Sequence, residues 1–97
     1  MEEKIAPELR STYIMLKAAF PDGVSPEEYF ALIHYLYEGM SDRQLAQVVG
    51  LLIGQEDYVA ILNDVYKVHS LDAKLKSNKS VYDRLVANGY NDWLEEQ

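Results

Sequence analysis

Two helix-start signatures stand sixteen residues apart in this chain, Ser25-Pro26-Glu27-Glu28 and Ser41-Asp42-Arg43-Gln44. Each sets a Ser at the N-cap and a Glu or Gln three residues later, the capping-box pattern that ties the first backbone N–H groups of a helix to side-chain oxygens. Pro26 suits the first helical position, where a missing N–H leaves no bond unmade. Glu27 and Glu28 suit the positive end of the helix dipole. These two points divide the chain into helical units before any apolar pattern is read.

The apolar residues carry a helical period on both sides. Leu9, Tyr13, Leu16 and Phe20 step by four, three and four, which places them on one face of a helix from about Pro7 to Phe20. Pro21-Asp22-Gly23 is a turn triplet that stops it. Tyr29, Leu32, Ile33, Leu36 and Met40 form the inner stripe of the second helix, with Gly39 as its left-handed terminator. Leu45, Val48, Val49 and Leu52 continue the third helix to Gly54. A fourth spans about Glu56 to Val68, with Tyr58, Ile61, Leu62, Val65 and Tyr66 facing inward. A last helix covers about Val81 to Asn88 through Val81, Leu85 and Val86, with Gly89 just past its end. Beyond it, Tyr90, Trp93 and Leu94 can dock a final turn. Between the fourth and last helices, residues 70–80 are rich in Lys, Ser and Asn and read as a loop with a short helical turn at most. No segment alternates with period two. The sequence predicts an all-α fold, a compact bundle of about five helices in one domain spanning 1–97.

Composition narrows the classes. The chain has 97 residues, 48% of them hydrophobic, which argues for a globular fold over disorder. It has no cysteine, and therefore no disulfide framework, thiolate metal site or thiol nucleophile. The first residues, Met1-Glu2-Glu3-Lys4-Ile5, place acids where a signal peptide carries positive charge. The longest apolar run, Val48 to Ile53, is far below the roughly 18–20 residues of a membrane span. The expectation is a cytoplasmic protein with no membrane contact. Nine Lys and Arg against sixteen Asp and Glu give 9 − 16 = −7. Residues 1–17 and 67–97 each net to zero, so the whole excess lies in 18–66, where Arg43 faces eight acids. Such a chain is a poor partner for phosphate, and nucleic acid is disfavoured. The one basic feature is a strip of Lys67, Lys74, Lys76 and Lys79 around the loop.

Ser41 to Leu51 resembles the first half of a helix-turn-helix, with Ala46 permitting close helix approach and Gly50, four residues on, at the turn. The second half departs from it. A recognition helix presents Arg, Lys, Asn or Gln to base edges, whereas this one brings Gln55, Glu56, Asp57 and Tyr58. His34 and Glu38 share a helix face at a metal-ligand spacing, but His69 is the only other histidine and no third ligand is evident. Asp57 and Asp64, seven apart, can face the same way, yet no nucleophile–base pair or phosphate loop accompanies them. No catalytic residue, metal or cofactor is expected.

Eight tyrosines are many for this length. Tyr13, Tyr29 and Tyr58 fall on predicted inner stripes. Tyr35, Tyr37 and Tyr90, with Trp93, are harder to bury together, and exposed aromatic clusters mark partner-binding surfaces. The other reading has them filling the seams of a small bundle.

The run Phe20-Pro21-Asp22-Gly23-Val24-Ser25-Pro26-Glu27-Glu28-Tyr29, followed by Leu32, Ile33 and Leu36, the Ser41-Asp42 start and the late segment Val81 to Tyr90, resembles the small bacterial helical family known as domain of unknown function 3349. The likeness extends from Leu16 to Tyr90 and is most specific at the Pro-Asp-Gly-Val turn. The family's second helix tends to end in arginines, whereas this one ends Tyr35-Leu36-Tyr37-Glu38. The resemblance implies a compact helical bundle with some helix-turn-helix likeness; it implies no catalytic residues. The function expected is a non-catalytic protein-interaction or regulatory module, meeting an unknown protein partner or a second copy of itself. The alternative is a helix-turn-helix-derived DNA-binding regulator using the lysine strip.

Overall fold

The computed structural model describes residues 7–71 and 77–96. Among these there are six helices and no strand: α1 (Pro7–Ala19), α2 (Pro26–Tyr37), α3 (Asp42–Ile53), α4 (Tyr58–Val68), α5 (Lys79–Ala87) and α6 (Tyr90–Glu96). The all-α expectation holds, with six helices where about five were expected. The difference arises at Gly89, whose φ of +100° breaks the chain sharply enough for residues 90–96 to start a separate helix.

Both helix-start signatures work as caps. The Ser25 N–H donates to Glu28 Oε1 at 2.9 Å, and Ser41 Oγ accepts from the Gln44 N–H at 3.3 Å. Glu28 also acts at longer range, because its other oxygen, Oε2, accepts from Arg84 of α5 at 3.2 Å. The Arg84 guanidinium lies 4.9 Å from the centre of the Phe20 ring. One capping carboxylate thus links the start of α2 to α5 beside the buried end of α1.

The helix ends follow the glycines with one exception. Gly54 adopts φ +71° and closes α3, as the left-handed C-cap geometry requires. Gly39 does not enter the left-handed region. Instead its N–H donates to Leu36 O at 3.0 Å, a tightened i→i−3 turn that ends α2 without a positive φ.

Side chains from all six helices join in one apolar cluster. α2 packs against α3, α4 and α5, while α1 packs against α3 and α5. Leu16, Leu32, Leu36, Leu45, Val48, Val49, Val81 and Leu85 are fully enclosed. Two inward assignments are corrected, because Tyr66 and Val86 face solvent. Tyr13, Tyr29, Tyr58 and Leu62 are half-buried and pack against the core. Met15 and Thr12 of α1 and Val68 of α4 are buried in addition to the predicted stripes. Thr12 enters the core because it has a partner there: its Oγ1 accepts from Trp93 Nε1 at 2.7 Å, joining α1 to α6.

That bond is testable. Thr12→Val keeps the shape but takes the acceptor away from a buried donor, which costs about 1–3 kcal/mol. Urea unfolding followed by Trp93 fluorescence should show a lower midpoint with an unchanged slope. Thr12→Ser, which retains the oxygen, should recover most of the loss.

Candidate functional site

The four aromatic residues singled out in the sequence are not exposed together. Tyr90 and Trp93 are 3% and 4% exposed. Gly89 folds α6 back so that the Tyr90 ring stacks on Trp93 at 5.8 Å and 22°. The Tyr90 hydroxyl donates to Tyr35 O at 2.7 Å, and the Tyr35 hydroxyl accepts from the Asn78 N–H at 3.2 Å. Tyr90 packs edge to face on Tyr82 and Tyr35 with centroids 6.0 and 6.4 Å apart, and Tyr35 and Tyr82 meet at a tilt, 5.5 Å apart. Centroids this close describe rings in direct contact, with no room for a ligand between them. Tyr35 and Tyr90 fit into the seam between α2, α5 and α6 because the hydroxyl of each finds a backbone partner there. Tyr37 alone of the four is exposed, at the far end of α2, with its ring 4.2 Å from that of His69.

The lysine strip is divided. Lys74 and Lys76 lie outside the described residues. Lys79 belongs to α5 and not to the loop, and it pairs with Asp83 one turn on at 2.9 Å. Lys67, in the last turn of α4, stands 5.7 Å from the centre of the Phe30 ring. The two therefore sit on different helices, each with its own neighbour. The acid candidates also separate. Asp57 caps α4 by accepting from the Ala60 N–H at 3.1 Å, and Asp64 accepts from the Tyr29 hydroxyl at 2.8 Å. His34 lies against the Tyr35 ring, and among the described residues no three His, Asp or Glu side chains gather as a metal site would need.

The axes of α3 and α4 turn through 118°. The turn falls at Gly54 and not at Gly50, which lies inside α3. Gly50 has another purpose: a Cβ there would meet Gln55 O and Ile61 Cδ1 at 3.1 Å each. Its missing side chain lets the two helices approach at the corner.

Two features at this corner were not foreseen. A cleft of about 540 Å³ opens between the helices, with Gly50 and Ile61 at its floor and Leu51, Gln55, Glu56 and Tyr58 around it. On α4 beside it, Val59 is 63% and Tyr66 51% exposed. Val59 and Tyr66 lie seven residues apart on one side of α4, and Tyr58 and Leu62 beside them are half-buried against the core. The signal for this was present in the composition of the helix. Eight of its eleven residues are apolar or aromatic, more than one buried face accommodates. A second hollow of about 200 Å³ lies between α1 and α6, bordered by Ile14, Met15 and Trp93.

Comparison with protein-family models, curated proteins and solved structures finds no match to this chain.

Two phenols are held protonated. Burial above all, then the charge of Glu38 and the neighbouring Tyr82 and Tyr35, pushes Tyr90 up to about 12. Burial, with the hydrogen bond and charge of Asp64, raises Tyr29 further. In the unfolded chain both ionise near the ordinary value of about 10. Above that pH the unfolded state sheds protons that the folded state retains, so stability should fall as pH rises from about 10 towards 12. Urea midpoints at pH 9, 10 and 11 should decrease in order. Tyr90→Phe should make the decline shallower, whatever it does to stability at pH 7.

Proposed function

We propose that this chain is a small non-catalytic protein-interaction or regulatory module whose contact surface is the outward face of α4 and the cleft at its start. The observation that carries the reading is the exposed apolar stripe on that helix, with Val59 at 63% and Tyr66 at 51%. Exposed aliphatic and aromatic side chains in one stripe, next to a cleft that admits a side chain, are what protein recognition uses for anchors. The candidate carboxylates Asp57 and Asp64 are engaged as a helix cap and as a tyrosine's acceptor, which supports the non-catalytic part of the reading.

The DNA-binding alternative rests on the pair α3 and α4 with the sharp turn between them. Where a recognition helix would meet base edges, though, α4 brings Val59, Leu62 and Tyr66, with Glu56 and Asp57 at its leading end. Apolar side chains and carboxylates there gain nothing from phosphate.

Two measurements test the proposal. Affinity capture from the cell of origin, with wild type and Val59→Ser/Tyr66→Ser in parallel, should retain a protein that the double variant loses. Both changes lie at exposed positions, so stability should shift by no more than about 0.5 kcal/mol. Identical captures would refute the reading. A labelled duplex titrated at low and moderate salt should show weak binding at most, gone at about 0.2 M salt. Binding that survives, and that Lys67→Glu with Lys79→Glu abolishes, would establish the alternative instead.

A further inference from the structure

Resting on that interaction reading, we infer that the corner between α3 and α4 receives an amphipathic helix of a protein partner, its apolar anchor in the cleft and Lys or Arg beside it. The cleft supplies the anchor site. Gly50, without a side chain, and Ile61 make a floor lined by Leu51 and Tyr58, and about 540 Å³ accommodates a Leu, Met or Phe side chain. Next to the cleft on α4, Val59 and Tyr66 stand exposed two turns apart, with half-buried Tyr58 and Leu62 at the edge of that face, a spacing at which a docked helix can repeat its own apolar residues.

Charge decides which helix. Glu56 lines the cleft and Asp57 stands next to it, both exposed. The ion pairs His69–Asp42, Lys79–Asp83 and Arg84–Glu28 join described residues, and among those residues none pairs a cation with Glu56 or Asp57. The segment 18–66, which contains all of α2, α3 and most of α4, carries Arg43 against eight acids. A second copy of this chain would bring the same uncompensated acids to the same corner, and like charges in an interface cost affinity. A basic helix meets the complementary field and is steered towards it.

The probes are three synthetic helical peptides of about four turns, or fourteen residues. One has Leu along one face with flanking Lys, one has Glu in place of Lys, and one keeps Lys but has Ala in place of Leu. Each is titrated into the full chain while backbone amide resonances are followed by NMR. The Lys/Leu peptide should move Gly50, Leu51, Gly54, Tyr58, Leu62 and Tyr66 saturably, and the other two should bind at least about tenfold more weakly. Glu56→Gln with Asp57→Asn removes the charge while Asn keeps the cap on α4. It should weaken the Lys/Leu peptide several-fold and flatten its salt dependence without lowering the melting temperature.

Equal binding of the Glu/Leu peptide would overturn the basic partner, as would shifts centred on Glu27 and Glu28. So would a concentration-dependent doubling of mass that Val59→Ser/Tyr66→Ser abolishes, which would give the face to a second copy. If no peptide binds, the docked helix is refuted while the interaction reading still stands or falls on the capture comparison.

Discussion

The placement of α4, and with it the proposed contact surface, depends on how closely α3 and α4 approach at their corner. Gly54 takes a left-handed conformation that reverses the chain, and Gly50 presents no Cβ to Gln55 O and Ile61. With those two glycines in place, the start of α4 is held against α3 by the Ile61 contact, and Val65 and Val68 reach the common core. The rotation of α4 about its axis is thereby set. Since the helix is apolar almost all round, setting its rotation also selects which apolar residues remain outside. Val59 and Tyr66 are exposed as a consequence of where Ile61 and Val65 are buried.

The aromatic residues illustrate the opposite outcome. A tyrosine or tryptophan is costly to bury only if its polar tip loses water without replacement. Here Tyr90 reaches a carbonyl of α2, Trp93 reaches Thr12, and Tyr35 accepts from a backbone N–H just before α5. These bonds span 43 to 81 residues of sequence and join α1, α2, α5 and α6. They do for the short C-terminal helices what a longer apolar face does for α3. A seven-residue helix such as α6 would not persist alone.

Local signals in the sequence located the helices well. The capping boxes at Ser25 and Ser41, the left-handed Gly54 and Gly89, and the stripes of Leu32, Leu36, Leu45 and Leu85 all depend on neighbours within about one turn. The readings that failed depend on partners far along the chain. Tyr66 and Val86 have the right spacing for burial, but other residues of their helices took the inward direction. Gly39 looked like Gly54, yet α2 tightens at its end and needs no positive φ. Ala46 and Gly50 suggested a helix-turn-helix turn; the helix runs on through Gly50 because the stronger stop signal is Gly54.

The amino-acid order by itself determined an all-helical chain, the places where most helices begin and end, and an acid excess confined to 18–66, because each of these is local or additive. Only the tertiary structure decided that Tyr90 and Trp93 are core, that Lys67 and Lys79 stand on different helices, and that α4 carries the exposed apolar stripe. Those outcomes turn on which of several adequate faces wins contact with the rest of the molecule. Long-range packing and the availability of a hydrogen-bond partner make that choice, and neither is visible in the spacing of residues along one helix.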